Sequence, residues 1–525
     1  MHFLLVYVTV PLASGVLTGI PLLQNGAAPL AYLAMIPYFA VLIRCAGRDG
    51  VGQTLLCSFL FGFAYELTAF GWISQMHPLY FTGMSGFASF AICYGGSVLL
   101  SALFALPIIL FGFLLRTACR SEVVIRHRLL LVPVAASLWA LLEAAGEIGT
   151  FAVPWARLAA GQAGYPLLIG SARLFGGVFV GAVAVAVNIA LTLALTGRDT
   201  RKSIISASTG AAALLLSVLL PLIPAFSSSE TGETADVAVI QGNIPTNEKW
   251  EDPSISVDTY IALLETLDGD APDIVLMPET AVTFDITASP NKLQRIKAFA
   301  YKNECTVLFG TYTFDAEGRC FNTVREVENG ALTGDYYAKR KLVPFGEYLP
   351  FYDFFKEYLP DISRLELFSE QISAGDSPCV FDAAGAKIGA LICFDSLFPS
   401  LSRGSVKAGA NVMFIATNDG WFSETYAVNI HNSIAKVRAV EVGRYYIRAA
   451  NTGISSVISP DGTANAIIPA NERGIIRYSV PTVSGDTLYT KSGNAFVFVC
   501  LGFAAAFYAS TAVGRILSKR KREKR

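Results

Sequence analysis

Long apolar runs occupy most of the first 226 residues and occur once more near the C-terminus. A helix needs about 20 apolar residues to cross the hydrocarbon core of a bilayer. Runs of this length predict membrane spans at about 3–22, 27–44, 51–74, 87–115, 129–147, 167–196, 203–225 and 491–514. The fourth and sixth runs are longer than the bilayer requires, so these helices are expected to tilt or to project beyond it. The pattern predicts a polytopic α-helical membrane domain of about eight transmembrane helices.

A different pattern fills the segment between the seventh and eighth runs. Short apolar runs rich in β-branched residues are separated by helical segments, and their continuous hydrophobicity indicates a sheet that is covered on both faces. The predicted strands are Val237–Ile240, Ile274–Met277, Thr306–Phe309, Ile388–Ile392, Val412–Ala416, Tyr446–Ala450 and Ser455–Ile458, and the predicted helices are Ser254–Leu267, Asn291–Lys302 and Asn429–Val442. The sequence therefore predicts a membrane domain at 1–226, a layered α/β domain at 235–486, and an eighth span with a basic tail at 490–525.

The basic residues of the membrane domain predict its orientation. They follow the second, fourth and sixth spans and the last one: Arg44, Arg48, Arg116, Arg120, Arg126, Arg128, Arg198, Arg201, Lys202 and residues 519–525. The alternate loops have little positive charge, with Arg157 as the main exception. Because positive charge marks cytoplasmic loops, we expect both termini in the cytoplasm and the α/β domain outside it. A cleaved signal peptide is disfavoured, since no basic segment precedes the first apolar run.

Composition supports a membrane protein and excludes other classes. The 525 residues are 53% hydrophobic and 15% charged, against about 25% charged in ordinary soluble domains. A net charge of −1 gives no field that would favour nucleic acid. The four histidines and nine scattered cysteines lack the spacing of a metal site, so no metal or cofactor is expected. Cys305, Cys320 and Cys379 could form one disulfide at most, and the sequence does not decide whether they do.

Three residues of the α/β segment have the chemistry of acyl transfer. Cys393 directly follows a predicted strand, Glu279 comes two residues after another, and Lys339 follows a Gly-Asp pair that reads as a turn. Reactive groups collect where strands end in such sheets. Since no histidine is expected near Cys393, we expect Glu279 to accept the thiol proton, and Lys339 to favour the thiolate and stabilise an oxyanion. Taken singly, each residue is equally consistent with a core cysteine, a helix-terminal acid or a surface lysine.

Longer motifs surround these residues. They are Gln-Gly-Asn-Ile-Pro at 241–245, Pro-Glu-Thr at 278–280, Lys-Arg-Lys-Leu-Val-Pro-Phe-Gly-Glu at 339–347, Ile-Cys-Phe-Asp at 392–395, Thr-Asn-Asp-Gly-Trp-Phe at 417–422, Arg-Ala-Val-Glu-Val-Gly-Arg at 438–444 and Asn-Thr-Gly-Ile-Ser at 451–455. With the apolar spans, they give the chain a resemblance along nearly its whole length to the apolipoprotein N-acyltransferases, bacterial inner-membrane enzymes of the nitrilase superfamily. The resemblance implies an extracytoplasmic nitrilase-like αββα sandwich.

The resemblance also implies roles for individual residues. Cys393 corresponds to the nucleophile, Glu279 to the general base and Lys339 to the residue that stabilises the tetrahedral intermediate. Glu347 matches a further essential acid, and Trp250 a tryptophan at the mouth of the lipid site. Two further matches are Phe394, at a position that is aromatic in the family, and Asp395, where the family commonly has glutamate.

The implied reaction transfers a fatty acyl chain from a phospholipid, usually phosphatidylethanolamine, to Cys393 as a thioester. The chain then passes to the α-amino group of the diacylglyceryl-cysteine at the N-terminus of an apolipoprotein, without a cofactor and without nucleic acid. Nothing in the sequence requires more than a monomer. The aromatic segment from Phe345 through Tyr348 to Phe355 fits either a lid over the site or a substrate-binding arm at the membrane interface.

Two other classes of protein compete with this interpretation. A membrane-anchored amidase of the nitrilase type would use the same three residues on a small amide, but it would need one anchoring helix rather than eight. A transporter with a degenerate external domain would not need to keep Glu279, Lys339 and Cys393. It would also be expected to carry more ionisable groups within its spans than Glu66 and Glu143.

Overall fold

Helices long and apolar enough to cross a membrane form the first part of the chain. The computed structural model describes residues 2–48, 50–79, 85–358, 371–422 and 424–523. Within these ranges, eight such helices are present: Leu5–Leu23, Asn25–Gly47, Val51–Gln75, Gly86–Cys119, Arg128–Ala145, Gly177–Thr196, Thr200–Leu222 and Ala495–Leu517. The number and order of the predicted spans are confirmed.

The sixth span is shorter than the sequence pattern predicted. Residues 167–176 were included in it, but they contain two short helices, Pro166–Ile169 and Ala172–Phe175. Gly176 then adopts a φ of 84°, in the left-handed region that breaks a helix, and the span begins at Gly177. Hydrophobicity alone did not reveal this break, because the short helices are themselves apolar.

Two six-stranded sheets form the α/β domain. In chain order, the strands are β1 (Ser229–Gln241), β2 (Ile274–Leu276), β3 (Thr306–Phe314), β4 (Cys320–Glu328), β5 (Ala331–Ala338), β6 (Val380–Ala383), β7 (Ala386–Ile392), β8 (Val412–Thr417), β9 (Tyr446–Ala450), β10 (Ser455–Ile458), β11 (Ala464–Ile468) and β12 (Gly474–Ser484). The first sheet has the order β12-β1-β2-β3-β4-β5, and the second has the order β11-β10-β9-β8-β7-β6. The central strands β1-β2-β3 and β7-β8-β9 are parallel, and their outer neighbours are antiparallel.

The seven predicted strands are all present, and five further strands were missed. One miss changes a local prediction: Gly334 and Asp335 do not form the turn before Lys339, because they lie inside β5. The turn is instead at Asn329-Gly330, whose φ values of 49° and 75° suit a tight hairpin. Strand β5 is an edge strand with many exposed positions, so it lacks the apolar run that identified the central strands.

The two sheets pack face to face through buried side chains such as Val239 and Leu276 from the first and Ile388 and Phe414 from the second. Helices cover the outer face of each sheet: Pro253–Glu265 and Pro290–Lys302 on the first, and Pro399–Lys407 and Ala427–Val442 on the second. Proline at the first position of three of these helices suits their start, since its missing N–H has no helical partner there. The domain is an αββα sandwich.

Helix Ala427–Val442 also attaches the sandwich to the membrane helices. The Gly177 backbone N–H donates to Glu441 Oε1 at 2.6 Å, and Tyr426 Oη donates to the Thr68 carbonyl at 2.9 Å. The same helix packs Val437 and Val440 against Val180 of the sixth span and against apolar residues that precede this span. One helix therefore contacts both the second sheet and the membrane domain, which holds the strand ends of the sandwich close to the membrane helices.

Candidate active site

Three strand ends bring the predicted catalytic residues to one place. Glu279 follows β2 by three residues, while Lys339 and Cys393 come directly after β5 and β7. Lys339 Nζ donates to Glu279 Oε1 at 3.0 Å and to Glu347 Oε1 at 2.7 Å. Since β2 and β5 belong to one sheet and β7 to the other, the site lies where the two sheets meet. The structure thus brings Glu279, Lys339 and Glu347 into one hydrogen-bonded cluster beside Cys393.

Both carboxylate oxygens of Glu279 accept hydrogen bonds. Oε1 accepts from Lys339 and from Asn322 Nδ2 at 2.8 Å, and Oε2 accepts from the Asn418 backbone N–H at 2.8 Å. Glu279 is 5% exposed, so these donors replace water around the charge. Neither Asn322 nor Asn418 was a predicted site residue. The sequence placed Asn418 in a motif but gave it no role, and Asn322 lies in the missed strand β4.

A second buried lysine supports the backbone at Glu279. Thr280 has a φ of 49°, an unusual left-handed value for a β-branched residue. Lys249 Nζ donates to Thr280 Oγ1 at 2.8 Å and approaches the Glu279 carbonyl oxygen at 3.5 Å. Gly310 passes so close to Pro278 and Glu279 that a side chain there would collide with their backbone. Lys249 and Gly310 together fix the turn that presents the carboxylate.

Charge compensation keeps Lys339 protonated in a buried position. Burial alone disfavours the ammonium, but the Glu279 and Glu347 carboxylates outweigh it and raise the pKa of Lys339 well above its ordinary value. The second oxygen of Glu347 accepts from the Val343 backbone N–H at 2.8 Å, which holds that carboxylate in place. Lys339 is therefore a fixed positive charge at the site.

Cys393 has a strained backbone and a thiol whose pKa is raised. Its φ is 48°, and it begins the short helix Cys393–Leu397. Burial, together with the Glu279 carboxylate, raises the pKa of the Cys393 thiol well above its ordinary value, against the opposing effect of Lys339. Lys339 favours the thiolate as expected, since it lowers the pKa of Cys393, but burial and Glu279 outweigh its effect. A reaction that used this sulfur as a nucleophile would need a base for the thiol proton.

The expectation that Cys393 has no histidine nearby is wrong. Its Sγ, one carboxylate oxygen of Asp419 and one ring nitrogen of His431 all lie within 4.8 Å of one another. His431 Nε2 lies 3.3 Å from the Cys393 carbonyl oxygen and 3.0 Å from Ser396 Oγ, while Nδ1 lies 2.9 Å from Asp419 Oδ1. His431 follows Cys393 by 38 residues on another element, so no sequence spacing could reveal the contact.

The electrostatics of this group favour a neutral histidine and disfavour a metal ion. Burial and the Arg448 guanidinium lower the pKa of His431. Although burial opposes it, Arg448 and His431 hold the pKa of Asp419 well below its ordinary value. Arg448 Nη2 donates to Asp419 Oδ2 at 2.5 Å and lies 3.1 Å from His431 Nδ1. A guanidinium at that position repels a cation that Cys393, Asp419 and His431 could otherwise bind.

Asp395 is a connector between two catalytic segments. Oδ1 accepts from the Lys341 and Arg340 backbone N–H groups at 2.7 and 3.2 Å, and Oδ2 accepts from Tyr337 Oη at 2.8 Å and from the Ile392 N–H at 3.1 Å. Burial raises the pKa of Asp395 to about 6. The carboxylate thus joins the chain on both sides of Lys339 to the chain on both sides of Cys393.

The predicted aromatic residues lie around this cluster. Phe394 is 9% exposed and packs edge-on against Phe398, with 5.5 Å between ring centroids. Trp250 stacks with Trp421 at 6.5 Å. Apolar rings thus lie around two segments: the one that carries Cys393 and the turn that follows β8.

Phe345 and Tyr348 contact the membrane domain rather than the Glu279 cluster. Phe345 stacks with Phe151 at 6.1 Å between ring centroids, and Tyr348 Oη donates to the Thr150 carbonyl at 3.0 Å. Phe345 is nevertheless 49% exposed. The aromatic segment therefore lies across the boundary between the sandwich and the membrane helices.

No disulfide joins any of the nine cysteines, all of which lie in the described part of the chain. Cys305, Cys320 and Cys379 therefore leave the sandwich without a covalent cross-link. The possible pairing that the sequence left open is not formed.

Comparisons with known proteins agree with this architecture. Residues 236–486 match the carbon-nitrogen hydrolase family, and residues 14–190 match the apolipoprotein N-acyltransferase N-terminal domain. The apolipoprotein N-acyltransferase of Geobacter metallireducens is 29% identical over 94% of this chain and 93% of its own length. That of Azotobacter vinelandii is 30% identical over 68% of each chain. Among solved structures, an amidase from Nesterenkonia is 18% identical and covers 49% of this chain and 93% of its own, with a TM-score of 0.37.

Proposed function

Because the chain belongs to the apolipoprotein N-acyltransferase family, we propose that Cys393, Glu279 and Lys339 transfer a fatty acyl chain from a phospholipid to an apolipoprotein through a thioester. The protein is a multi-pass bacterial membrane enzyme of the acyltransferase class. The observation that carries the proposed mechanism is the hydrogen-bonded Glu279–Lys339–Glu347 cluster beside the Cys393 thiol. It supplies a base, a fixed cation and a nucleophile at one point.

In the first half-reaction, Cys393 Sγ attacks the ester carbonyl of the phospholipid while Glu279 accepts the thiol proton. A base is needed because the raised pKa of Cys393 leaves little thiolate at neutral pH. Negative charge develops on the former carbonyl oxygen, and the Lys339 ammonium stabilises it. When the tetrahedral intermediate collapses, the C–O ester bond breaks and Glu279 returns the proton to the departing lysophospholipid hydroxyl. The acyl chain remains on Cys393 as a thioester.

In the second half-reaction, the α-amino group of the diacylglyceryl-cysteine attacks the thioester carbonyl. Glu279 accepts a proton from the attacking amine, and Lys339 again stabilises the oxyanion. The C–S bond breaks, the proton passes to Cys393 Sγ, and an amide is formed. The two substrates react in turn at one site, as in a ping-pong mechanism.

The donor and the arrangement of the chain belong to the same proposal. We take phosphatidylethanolamine as the acyl donor and a monomer as the working unit. Residues 1–226 would form the first seven spans, 235–486 the catalytic domain on the periplasmic side, and 490–525 the last span and the cytoplasmic tail. The positive charge of the loops after the second, fourth and sixth spans and of the C-terminal tail supports this orientation. Both substrates would then reach the site by diffusion in the outer leaflet of the inner membrane.

Hydrolysis of a small amide is the weaker alternative. It requires the same three residues, but it gives no reason for a membrane domain of eight candidate spans that contacts the catalytic domain through helix Ala427–Val442. The relatives that match nearly the whole chain are acyltransferases.

Intact-mass analysis after incubation with phosphatidylethanolamine alone tests the mechanism. We expect a mass increase of one acyl chain on the wild-type protein, which disappears when a diacylated lipopeptide with a free amine is added. Cys393→Ala should give no increase, and Cys379→Ala provides a matched control at another partly buried thiol of the same domain. An adduct that persists in Cys393→Ala, or no adduct in wild type, contradicts the proposal.

A further inference from the structure

A cavity of about 860 Å³ lies among helix ends in the membrane domain. Its walls come from the end of helix Ile36–Arg48, the end of helix Gly177–Thr196, the start of helix Thr200–Leu219 and the segment 125–129. Helix Thr200–Leu219 leads towards β1 at its other end, so the cavity is on the face of the membrane domain opposite the sandwich. Its volume is within the range of about 300–1,000 Å³ that is usual for small-molecule sites.

The charge of the lining is strongly unbalanced. Five cationic side chains line the cavity: Arg44, Arg126, Arg128, Arg198 and Lys202. Asp199 is the acidic residue among the described lining residues, and it already caps its helix by accepting from the Lys202 backbone N–H at 3.2 Å. Its carboxylate also lies 3.9 Å from Lys202 Nζ. Arg126 lies 3.8 Å from Glu122, which is outside the lining. The lining itself carries more positive than negative charge and so favours an anion.

Apolar side chains share the cavity with these charges. Ile43, Ile125, Leu129, Leu193 and Ile205 line it, and all lie at or near the ends of membrane helices. A soluble anion would use the basic groups and leave this apolar surface in contact with water. A molecule with an anionic head and an alkyl chain would cover both kinds of surface.

We propose that this cavity binds an anionic phospholipid, with the phosphate among Arg126, Arg128 and Arg198 and part of an acyl chain against Ile43 and Leu193. The site is separate from Cys393, which lies in the sandwich on the opposite face. Its lipid is therefore a bound component that stabilises the membrane domain, and not the acyl donor. The inference is independent of the catalytic mechanism proposed above.

The test compares two double variants of the full-length protein in detergent. Arg128→Gln/Arg198→Gln removes two charges from the cavity, and Arg120→Gln/Arg201→Gln removes two exposed charges from the same face outside the lining. Each protein is titrated with short-chain phosphatidylglycerol or phosphatidylcholine. Native mass spectrometry measures the bound lipid, and thermal unfolding measures the change in Tm.

We expect phosphatidylglycerol, and not phosphatidylcholine, to bind the wild-type protein and raise its Tm. Since each basic residue near an anionic lipid contributes about fivefold to binding, the cavity variant should bind roughly 25-fold more weakly. The control variant should bind like wild type. Equal weakening in both variants, no preference between the lipids, or an equal Tm shift with inorganic phosphate overturns the proposal. The acyl adduct on Cys393, measured in parallel, reports whether the variants are folded and tests the catalytic proposal separately.

Discussion

Replacing Lys339 by methionine removes the charge at the centre of the catalytic cluster while nearly keeping the side-chain volume. The ammonium lies 3.0 Å from Glu279 Oε1 and 2.7 Å from Glu347 Oε1, and the lysine side chain is 2% exposed. Its loss leaves two carboxylates together in a buried site without a cation. Breaking a buried ion pair in this way costs about 3–5 kcal/mol of unfolding free energy. Loss of the oxyanion donor should also lower the acylation rate by about 10²–10³.

A double variant separates the two effects. In Lys339→Met/Glu347→Gln, one of the two negative charges is removed, and the new amide can donate to Glu279. We expect much of the lost stability to return, because the electrostatic repulsion is gone, while acylation of Cys393 stays slow. Lys341→Met is the matched control, since its ammonium faces the Phe398 ring at 4.9 Å and lies outside the cluster.

Thermal unfolding in detergent measures stability, and single-turnover acylation followed by intact mass measures the chemical step. Both are measured for wild type, Lys339→Met, the double variant and Lys341→Met. If the double variant regains acylation in proportion to its stability, Lys339 acts on folding alone. The oxyanion role assigned to it is then refuted.

Three further predictions follow from other parts of the site. Burial lowers the pKa of Lys249 to about 7 from an ordinary 10.5, so the folded state holds fewer protons than the unfolded state between these values. The unfolding free energy of wild type relative to Lys249→Met should therefore rise between pH 7 and 9, by up to about 1.4 kcal/mol per pH unit. Unfolding free energies of the two proteins that change with pH in parallel would contradict this. His431→Ala should slow acylation of Cys393 about tenfold by removing the polar ring that lies against its carbonyl and Ser396. His431→Gln, which keeps a polar group there, should restore most of the rate without a change in KM, and equal loss in both variants would exclude the contact. Phe151→Ala removes the ring that stacks on Phe345. Proteolysis of the aromatic segment should then become faster in detergent than in liposomes. Equal rates of cleavage in detergent and in liposomes would exclude membrane contact.

The membrane domain was predictable because its signal is local and repeated. Each span needs a run of apolar residues, and a run can be read without knowing its neighbours. The break before Gly177 escaped because it depends on a backbone angle at Gly176 and not on hydrophobicity. The central strands were predictable for the same local reason, whereas edge strand β5 was not, because Gly334 and Asp335 interrupt its apolar run.

The contacts that define the site were mostly beyond sequence reasoning. Glu279, Lys339 and Cys393 stand out as chemical groups at strand ends, but their interaction joins residues more than 50 positions apart on two sheets. His431 was one of four scattered histidines, and nothing in the sequence indicated that it contacts Cys393. The raised pKa of Cys393 depends on burial, which the sequence could suggest but not measure.

Asp395 illustrates how geometry decides what a substitution means. From sequence, an aspartate in place of the family's usual glutamate left its role uncertain, since its reach is one methylene shorter. In the fold, its oxygens accept from Tyr337 Oη and from the backbone N–H groups of Arg340, Lys341 and Ile392 at 2.7–3.2 Å. Four donors already surround the shorter side chain. The aspartate is therefore long enough to connect the Lys339 segment to the Cys393 segment. Its carboxylate is engaged in positioning these two segments, which is why the proposed mechanism assigns the proton transfers to Glu279.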